Sequence, residues 1–169
     1  VSYSRKTDTC YAAVVVFHYP SMEIAETSTA VKKSTYPYVP GLLTFREAPP
    51  LIAAFARLKH EPDLLVFDGQ GAAHPRRFGL AAHIGVIFDK PSIGCAKSVY
   101  IGEYREPGRE AGRWTLLKHK GETIGCMLRS RDECKPLVIS AGYRMTLSRA
   151  RRFIKKILGR FRSPEIIRK

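Results

Sequence analysis

A chain of 169 residues, 44% hydrophobic and 10% aromatic, is long enough to bury a core without disulfide or metal staples and too apolar to be disordered. Its 29 lysines and arginines against 15 acids leave a formal charge of +14, which points to a polyanion: DNA, RNA or an anionic membrane surface. No apolar run approaches the roughly 20 residues of a membrane span and no stretch reads as a signal peptide, so nucleic acid is the expected partner, with no membrane contact. Cys10, Cys95, Cys126 and Cys134 are spread without a C-x-x-C pair. They are expected as buried, reduced thiols of a cytoplasmic protein rather than zinc ligands or disulfides.

The chain opens at Val1 rather than Met, already in a strand-like pattern, as a fragment would. The β-branched and aromatic run 11–19, YAAVVVFHY, predicts a central strand, and a turn at Pro20-Ser21 predicts a second strand over 23–29 beside it. A third extended piece, 34–38, runs into Pro37-Tyr38-Val39-Pro40-Gly41, a loop stiffened by two prolines. Apolar residues then recur at helical spacing over 42–60, interrupted by Pro49-Pro50, so the helix proper is expected to start near Pro50.

Residues 62–67 form a short apolar strand of the kind buried on both faces of a partly parallel sheet. A helix is expected at 77–88 and strands at 92–95, 99–104, 114–118, 123–129 and 137–140, with a hairpin turn at Lys120-Gly121. A last amphipathic helix, 146–158, turns Leu147, Phe153, Ile154 and Ile157 inward and its arginines and lysines outward. There is no internal repeat, and the element order favours one α/β domain over 1–169, built on a mixed sheet.

Asp68 ends the buried run DLLVF and is followed by Gly-Gln-Gly. A carboxylate at a strand end, joined by a second acid, can hold Mg²⁺ with several waters left on the ion; the same residue can also simply cap the turn into a glycine-rich loop. Glu47 is a candidate second acid, or a first-turn charge favoured by the helix dipole. Lys97 leaves the strand SIGCA, where it either contacts phosphate or reaches solvent. Tyr38, rigid between two prolines, is either a wedge for a base stack or a packed loop tyrosine. Gly41, Gly69 and Gly71 permit close backbone approach to a ligand, while His74 and His83 are potential metal ligands or ordinary loop and core histidines. From Arg144 onward ten basic residues face the single acid Glu165, a region suited to gripping a phosphate backbone.

Taken together, the stretches VSYS at 1–4, YPYVPGLLTFRE at 36–47, PDLLVFDGQGAAHPRRFGLAAHIGV at 62–86, KPSIGCAKS at 90–98 and GETIGCMLRSR at 121–131 resemble the endonuclease V family, in its order and spacing. That resemblance implies a ribonuclease-H-like fold, a mixed β-sheet flanked by α-helices. It also implies a DNA-repair nuclease that uses Mg²⁺ or Mn²⁺ to hydrolyse the second phosphodiester 3′ to a deaminated base, chiefly inosine, in DNA or RNA; a monomer is the simplest expectation for the chain. Asp68 and Glu47 match its metal-binding carboxylates, Lys97 its active-site lysine and Tyr38 the wedge that fills the gap left by the extruded base. Gly41, Leu42, Leu43 and Gly69 match loops lining that base's pocket, with Pro37, Pro40, Gly71 and His74 assigned to the same nucleic-acid-binding set. Flipping gives the selectivity a physical cause, because a mispaired base costs less to extract.

The departures concern the chemistry. The family's first strand reads Gly-Val-Asp-Val-Ser-Tyr, with a metal-binding Asp that would stand just before Val1. Its Ser-Pro-Gly-His pattern appears as Ser140-Ala141-Gly142-Tyr143, putting Tyr143 where a catalytic histidine is expected, and its Pro-Glu-Pro-Thr-Arg segment appears as SPEIIRK. A phenol with a pKa near ~10 cannot take up a proton near neutrality as an imidazole does. The alternative expectation is therefore a catalytically impaired homologue that binds inosine-containing nucleic acid without cutting it.

Overall fold

The computed structural model describes residues 1–37 and 39–167. The chain divides into two compact units, Val1–Pro62 and Asp63–Lys169.

In the first unit β1 (Ser2–Ser4), β2 (Thr9–His18) and β3 (Glu23–Lys33) form an antiparallel sheet with β2 in the centre, as its β-branched run predicts. Ala12 and Ala30 face each other across the β2–β3 ladder and are buried. Their small side chains let α1 (Leu43–Phe55) lie close, and the buried Ser28 hydroxyl donates to Ala54 O at 2.8 Å. The chain leaving the helix is tied down by Glu26, whose carboxylate accepts from the Lys59 and His60 backbone N–H groups.

Helix α1 starts seven residues earlier than the prolines predict and carries Pro49 and Pro50 inside it. Each proline removes one backbone donor from the helical ladder. Tertiary burial of Thr44, Arg46, Ala48, Pro50, Leu51 and Ala54 outweighs that local loss. Arg46 also lies over the Tyr3 ring, 3.1 Å from its centroid, fixing the first turns of the helix on β1. The extended piece expected at 34–38 is not a strand over 34–37, and Tyr38 lies outside the described residues.

The second unit holds a six-stranded mixed sheet in the order β4-β5-β9-β8-β7-β6. Its strands are β4 (Leu65–Phe67), β5 (Ser92–Ala96), β6 (Glu103–Tyr104), β7 (Trp114–His119), β8 (Glu122–Leu128) and β9 (Leu137–Ala141). The pair β4–β5 is parallel and every other pair is antiparallel. Between β4 and β5 the chain crosses over through α2 (Leu80–Ile87), and α3 (Leu147–Lys156) follows β9. No helix is long and apolar enough to cross a membrane among the described residues.

Every residue of β5 and the first four of β9 are buried, as central strands covered on both faces require. The two serines there are satisfied. Ser92 Oγ donates to Ala81 O at 2.6 Å and accepts from Tyr143 N–H, while Ser140 Oγ accepts from Gly71 N–H at 2.8 Å. The β7–β8 hairpin turns at Lys120 (φ 54°) and Gly121 (φ 82°), the paired left-handed conformation that suits the strands' twist.

Two expected boundaries shift for backbone reasons. The strand expected at 99–104 shrinks to Glu103–Tyr104, because Gly102 at φ 100° cannot continue an extended chain and Val99 and Ile101 turn into the core instead. The helix expected from residue 77 begins at Leu80, since Arg77 sits at φ 56° and Gly79 is extended at the cap. In α3, Thr146 caps the first turn by accepting from Arg149 N–H, and Lys155 and Lys156 complement the carbonyl end.

Cys95 and Cys126 lie fully buried, each opposite Ile139, and burial pushes both thiols up to about 12. Both are expected to react with a disulfide probe at pH 8 only after unfolding. An unfolded thiol titrates near 9.0 and the folded one near 12, so the unfolded state loses protons first as pH rises. Stability is then intact below pH 9 and falls between 9 and 12, by up to about 1.4 kcal/mol per pH unit for each thiol. Urea midpoints at pH 8 and pH 10 check the sign.

Candidate active site

Asp68 and Lys97 are brought together by strand pairing. Parallel β4 and β5 match Phe67 to Gly94, so the residues just past their carboxyl ends, Asp68 and Lys97, project from the same end of the sheet. Crevices at that end of parallel strands are where α/β sheets bind ligands. Lys97 Nζ donates to Asp68 Oδ2 at 2.6 Å, with the two side chains 53% and 39% exposed. The pair is formed yet open to a third party.

The loop carrying Asp68 is held by its backbone. A Cβ on Gly94 would stand 2.7 Å from Gly69 O and inside contact with Gly71 N, so β5 passes directly beneath the loop. Ala72 N–H donates to Ala141 O at 2.7 Å, Ala81 N–H to Gln70 O at 3.0 Å and Gln70 Nε2 to Ser98 O at 2.9 Å. On the other side, Arg162 Nη2 donates to Lys97 O at 2.6 Å and Pro136 O at 3.0 Å, and its Nε to Lys135 O at 2.7 Å. Sequence reading counted Arg162 with the phosphate-gripping residues. It is instead committed to three backbone carbonyls and positions Lys97. Only its place beside SPEIIRK, a conspicuous segment in sequence, hinted at a local role.

Tyr143 is not at this centre. Strand β9 runs antiparallel to β5, with Ile93 opposite Ala141, and Ser92 N–H donates to Tyr143 O. Tyr143 therefore leaves the sheet beside Ser92, at the far end of β5 from Lys97, roughly 16 Å of strand away. Its hydroxyl donates to Asp89 Oδ1 at 2.9 Å, and Arg144 pairs with the same carboxylate at 3.0 Å.

His74 is 7% exposed, its ring packed on Tyr100 at 5.6 Å and its Nδ1 accepting from Arg76 N–H at 3.3 Å. It shapes the loop from within and is not presented at the surface. Gly69 and Gly71 lie in the Asp68 loop.

Glu47 lies in α1 of the first unit, half-buried, where its charge helps raise the pKa of Cys10 behind the larger effect of burial. Ahead of it, Gly41 adopts φ 79°, Leu42 N–H donates to Val39 O at 2.9 Å, and Pro37, Pro40 and Leu43 are exposed. Among the described residues no cluster of three or more His, Cys, Asp or Glu side chains surrounds a point where a metal would sit. Asp68 offers a hard oxygen ligand at the carboxyl ends of β4 and β5. This fits Mg²⁺, which takes one or two carboxylates and fills its shell with water and substrate oxygens.

The sequence pattern that defines the Endonuclease V family matches residues 1–169. The chain belongs to the endonuclease V family. Endonuclease V from Roseiflexus sp. (strain RS-1) is 47% identical over 161 residues, 95% of this chain and 72% of the relative. The solved endonuclease V of Streptomyces avermitilis superposes with a TM-score of 0.95 at 39% identity, covering 99% of this chain and 73% of that one. Endonuclease V of Ciona intestinalis, solved with a 24mer DNA containing an inosine followed by a ribo-adenosine, gives a TM-score of 0.83 at 27% identity over 99% and 78% of the two chains. The α/β architecture is thus ribonuclease-H-like, as the resemblance implied, and endonuclease V proteins are nucleases.

Proposed function

We propose that this endonuclease V family member is a metal-dependent endonuclease that recognises a deaminated base, inosine above all, in DNA or RNA and hydrolyses the second phosphodiester 3′ to it. The observation carrying the reading is the solvent-open Asp68–Lys97 pair at the carboxyl ends of β4 and β5. The inosine-containing DNA bound to the Ciona intestinalis relative supports the substrate class.

In this reading Asp68 holds Mg²⁺, or Mn²⁺, with water and phosphate oxygens completing its shell, and Glu47 is the second carboxylate that the family resemblance assigns to the metal. The ion, when bound, supplies Lewis acidity and a water of lowered pKa. Lys97 exchanges one partner for another: its ammonium, held by Asp68 in the free protein, turns to a phosphate oxygen as the strand arrives. Arg162 keeps the Lys97 backbone in place while that happens. The family resemblance assigns Tyr38 the wedge role and Gly41, Leu42 and Leu43 the extruded base, while Gly69 and Gly71 keep the Asp68 loop slim enough for a backbone to approach. Tyr143 has no part in the proton transfers, being engaged by Asp89 at the other end of β5. Its replacement of histidine therefore does not argue against cleavage.

The test measures binding and nicking separately on inosine and matched adenosine strands, with Mg²⁺, with Mn²⁺ and with chelator. It uses the chain as it stands and a version with Asp placed ahead of Val1. Metal-dependent, inosine-selective nicking by either version is the expected result. Inosine-selective binding without nicking by both would replace the enzyme with a recognition protein, and absence of inosine preference in binding and nicking would discard both readings.

A further inference from the structure

The β6–β7 end of the second unit carries a surface that the Asp68–Lys97 centre does not use. Along β7, Trp114, Leu116 and Lys118 are exposed in alternation with half-buried Thr115 and buried Leu117, so the three share one face. With Tyr104 and Arg105 they line an open groove of about 700 Å³. The Arg151 guanidinium of α3 stacks over Trp114, 4.1 Å from the ring, yet the indole remains 43% exposed; Tyr104, 40% exposed, pairs with Leu117 further along the ladder. One acid, Glu103, meets three cations there: Arg105, Lys118 and Arg151.

We infer that this groove is a stacking platform for an unpaired base in the flank of the nucleic-acid strand that enters the Asp68–Lys97 centre. An open aromatic face ringed by cations suits a single strand, because every base has a π-face and every linkage a negative charge. A protein partner of ordinary composition would meet uncompensated positive charge, on a chain whose formal charge is already +14.

Sheet register places the platform usefully. Ala96, Val138, Met127 and Thr115 form one row across four strands, and Lys97 and Trp114 are the next residues beyond it at the same end. Three strand spacings separate them, about 14 Å. That corresponds to about four stacked nucleotides, fewer if the strand is stretched. The platform's footing is rigid: the buried Arg129 guanidinium donates to Pro107 O at 2.8 Å and Gly108 O at 3.1 Å, and Gly112 N–H returns to Arg129 O at 2.7 Å.

The inference rests on the nucleic-acid reading above, and its test keeps the two apart. Trp114 is the single tryptophan of the chain, so its emission reports this groove alone. The full chain is titrated with a labelled, inosine-free oligothymidylate of about 12 nucleotides. Expected are quenching of Trp114 emission and, by anisotropy of the label, binding weakened about tenfold in Trp114→Ala and largely restored in Trp114→Phe. Unmoved emission at saturation, failure of the oligonucleotide to bind, or undiminished affinity of Trp114→Ala overturns the platform. Nicking of an inosine strand is scored in parallel. Nicking with a silent Trp114 removes the platform and leaves the nuclease; a responding Trp114 with weakened Trp114→Ala binding but no nicking, by this chain or by the version with Asp ahead of Val1, leaves the platform and removes the nuclease.

Discussion

A chain carrying Asp68→Asn is expected to nick an inosine strand more than about 100-fold more slowly than the parent while unfolding at nearly the same urea concentration. Loss of an outer contact to a metal ligand already lowers activity about 10–100-fold, and loss of a ligand itself lowers it further. The structural effect is small because the Asp68–Lys97 pair is 39% and 53% exposed, and exposed pairs contribute about 0–1 kcal/mol. Lys97→Met should behave alike, losing rate without losing the fold. If Asp68 merely capped the turn into its glycine-rich loop, the pattern would invert: a stability loss near 1–2 kcal/mol with a matching, modest loss of rate.

Gly94→Ala is the second large effect, and it acts through packing. The added Cβ would stand 2.7 Å from Gly69 O and closer still to Gly71 N, backbone atoms that cannot swing aside as a flexible side chain would. Overpacking of this kind destabilises by about 1–3 kcal/mol, and relief would come by lifting the loop that carries Asp68. Expected are a lowered melting temperature and a nicking rate reduced even well below that melting point. A variant that keeps its full rate at 20 °C would show that the loop's position does not matter to the chemistry. Gly121→Ala is the control, since a Cβ there meets nothing within 4 Å and any strain comes only from its φ of 82°.

What sequence showed and what it hid divides along local and non-local lines. Strand β2, the Lys120-Gly121 hairpin and the wholly buried β5 were legible because each is marked by residues within a few positions of one another. Asp68 and Lys97 were legible singly, as polar residues ending apolar runs. Their partnership was not, because it depends on β4 lying parallel to β5 across the intervening α2. The same cause misplaced Tyr143. Its neighbours in sequence are those of an active-site motif, but antiparallel β9 carries it to the opposite end of the sheet, beside Asp89. Arg162 reads as one more cation in a basic tail, and only the fold shows its guanidinium turned onto Lys97 O, Lys135 O and Pro136 O. In α1 the local rule against proline was correct about the lost hydrogen bonds and silent about the burial that outweighs them.

The central claim is that the Asp68–Lys97 centre cuts beside a deaminated base. The most direct measurement is single-turnover cleavage of an end-labelled strand containing one inosine, with Mg²⁺, mapping the cut to nucleotide resolution for the parent and for Asp68→Asn. The account predicts one cut, at the second phosphodiester 3′ to the inosine, absent from the adenosine control and from Asp68→Asn. Equal cutting of the adenosine strand, or an undiminished cut by Asp68→Asn, would contradict it.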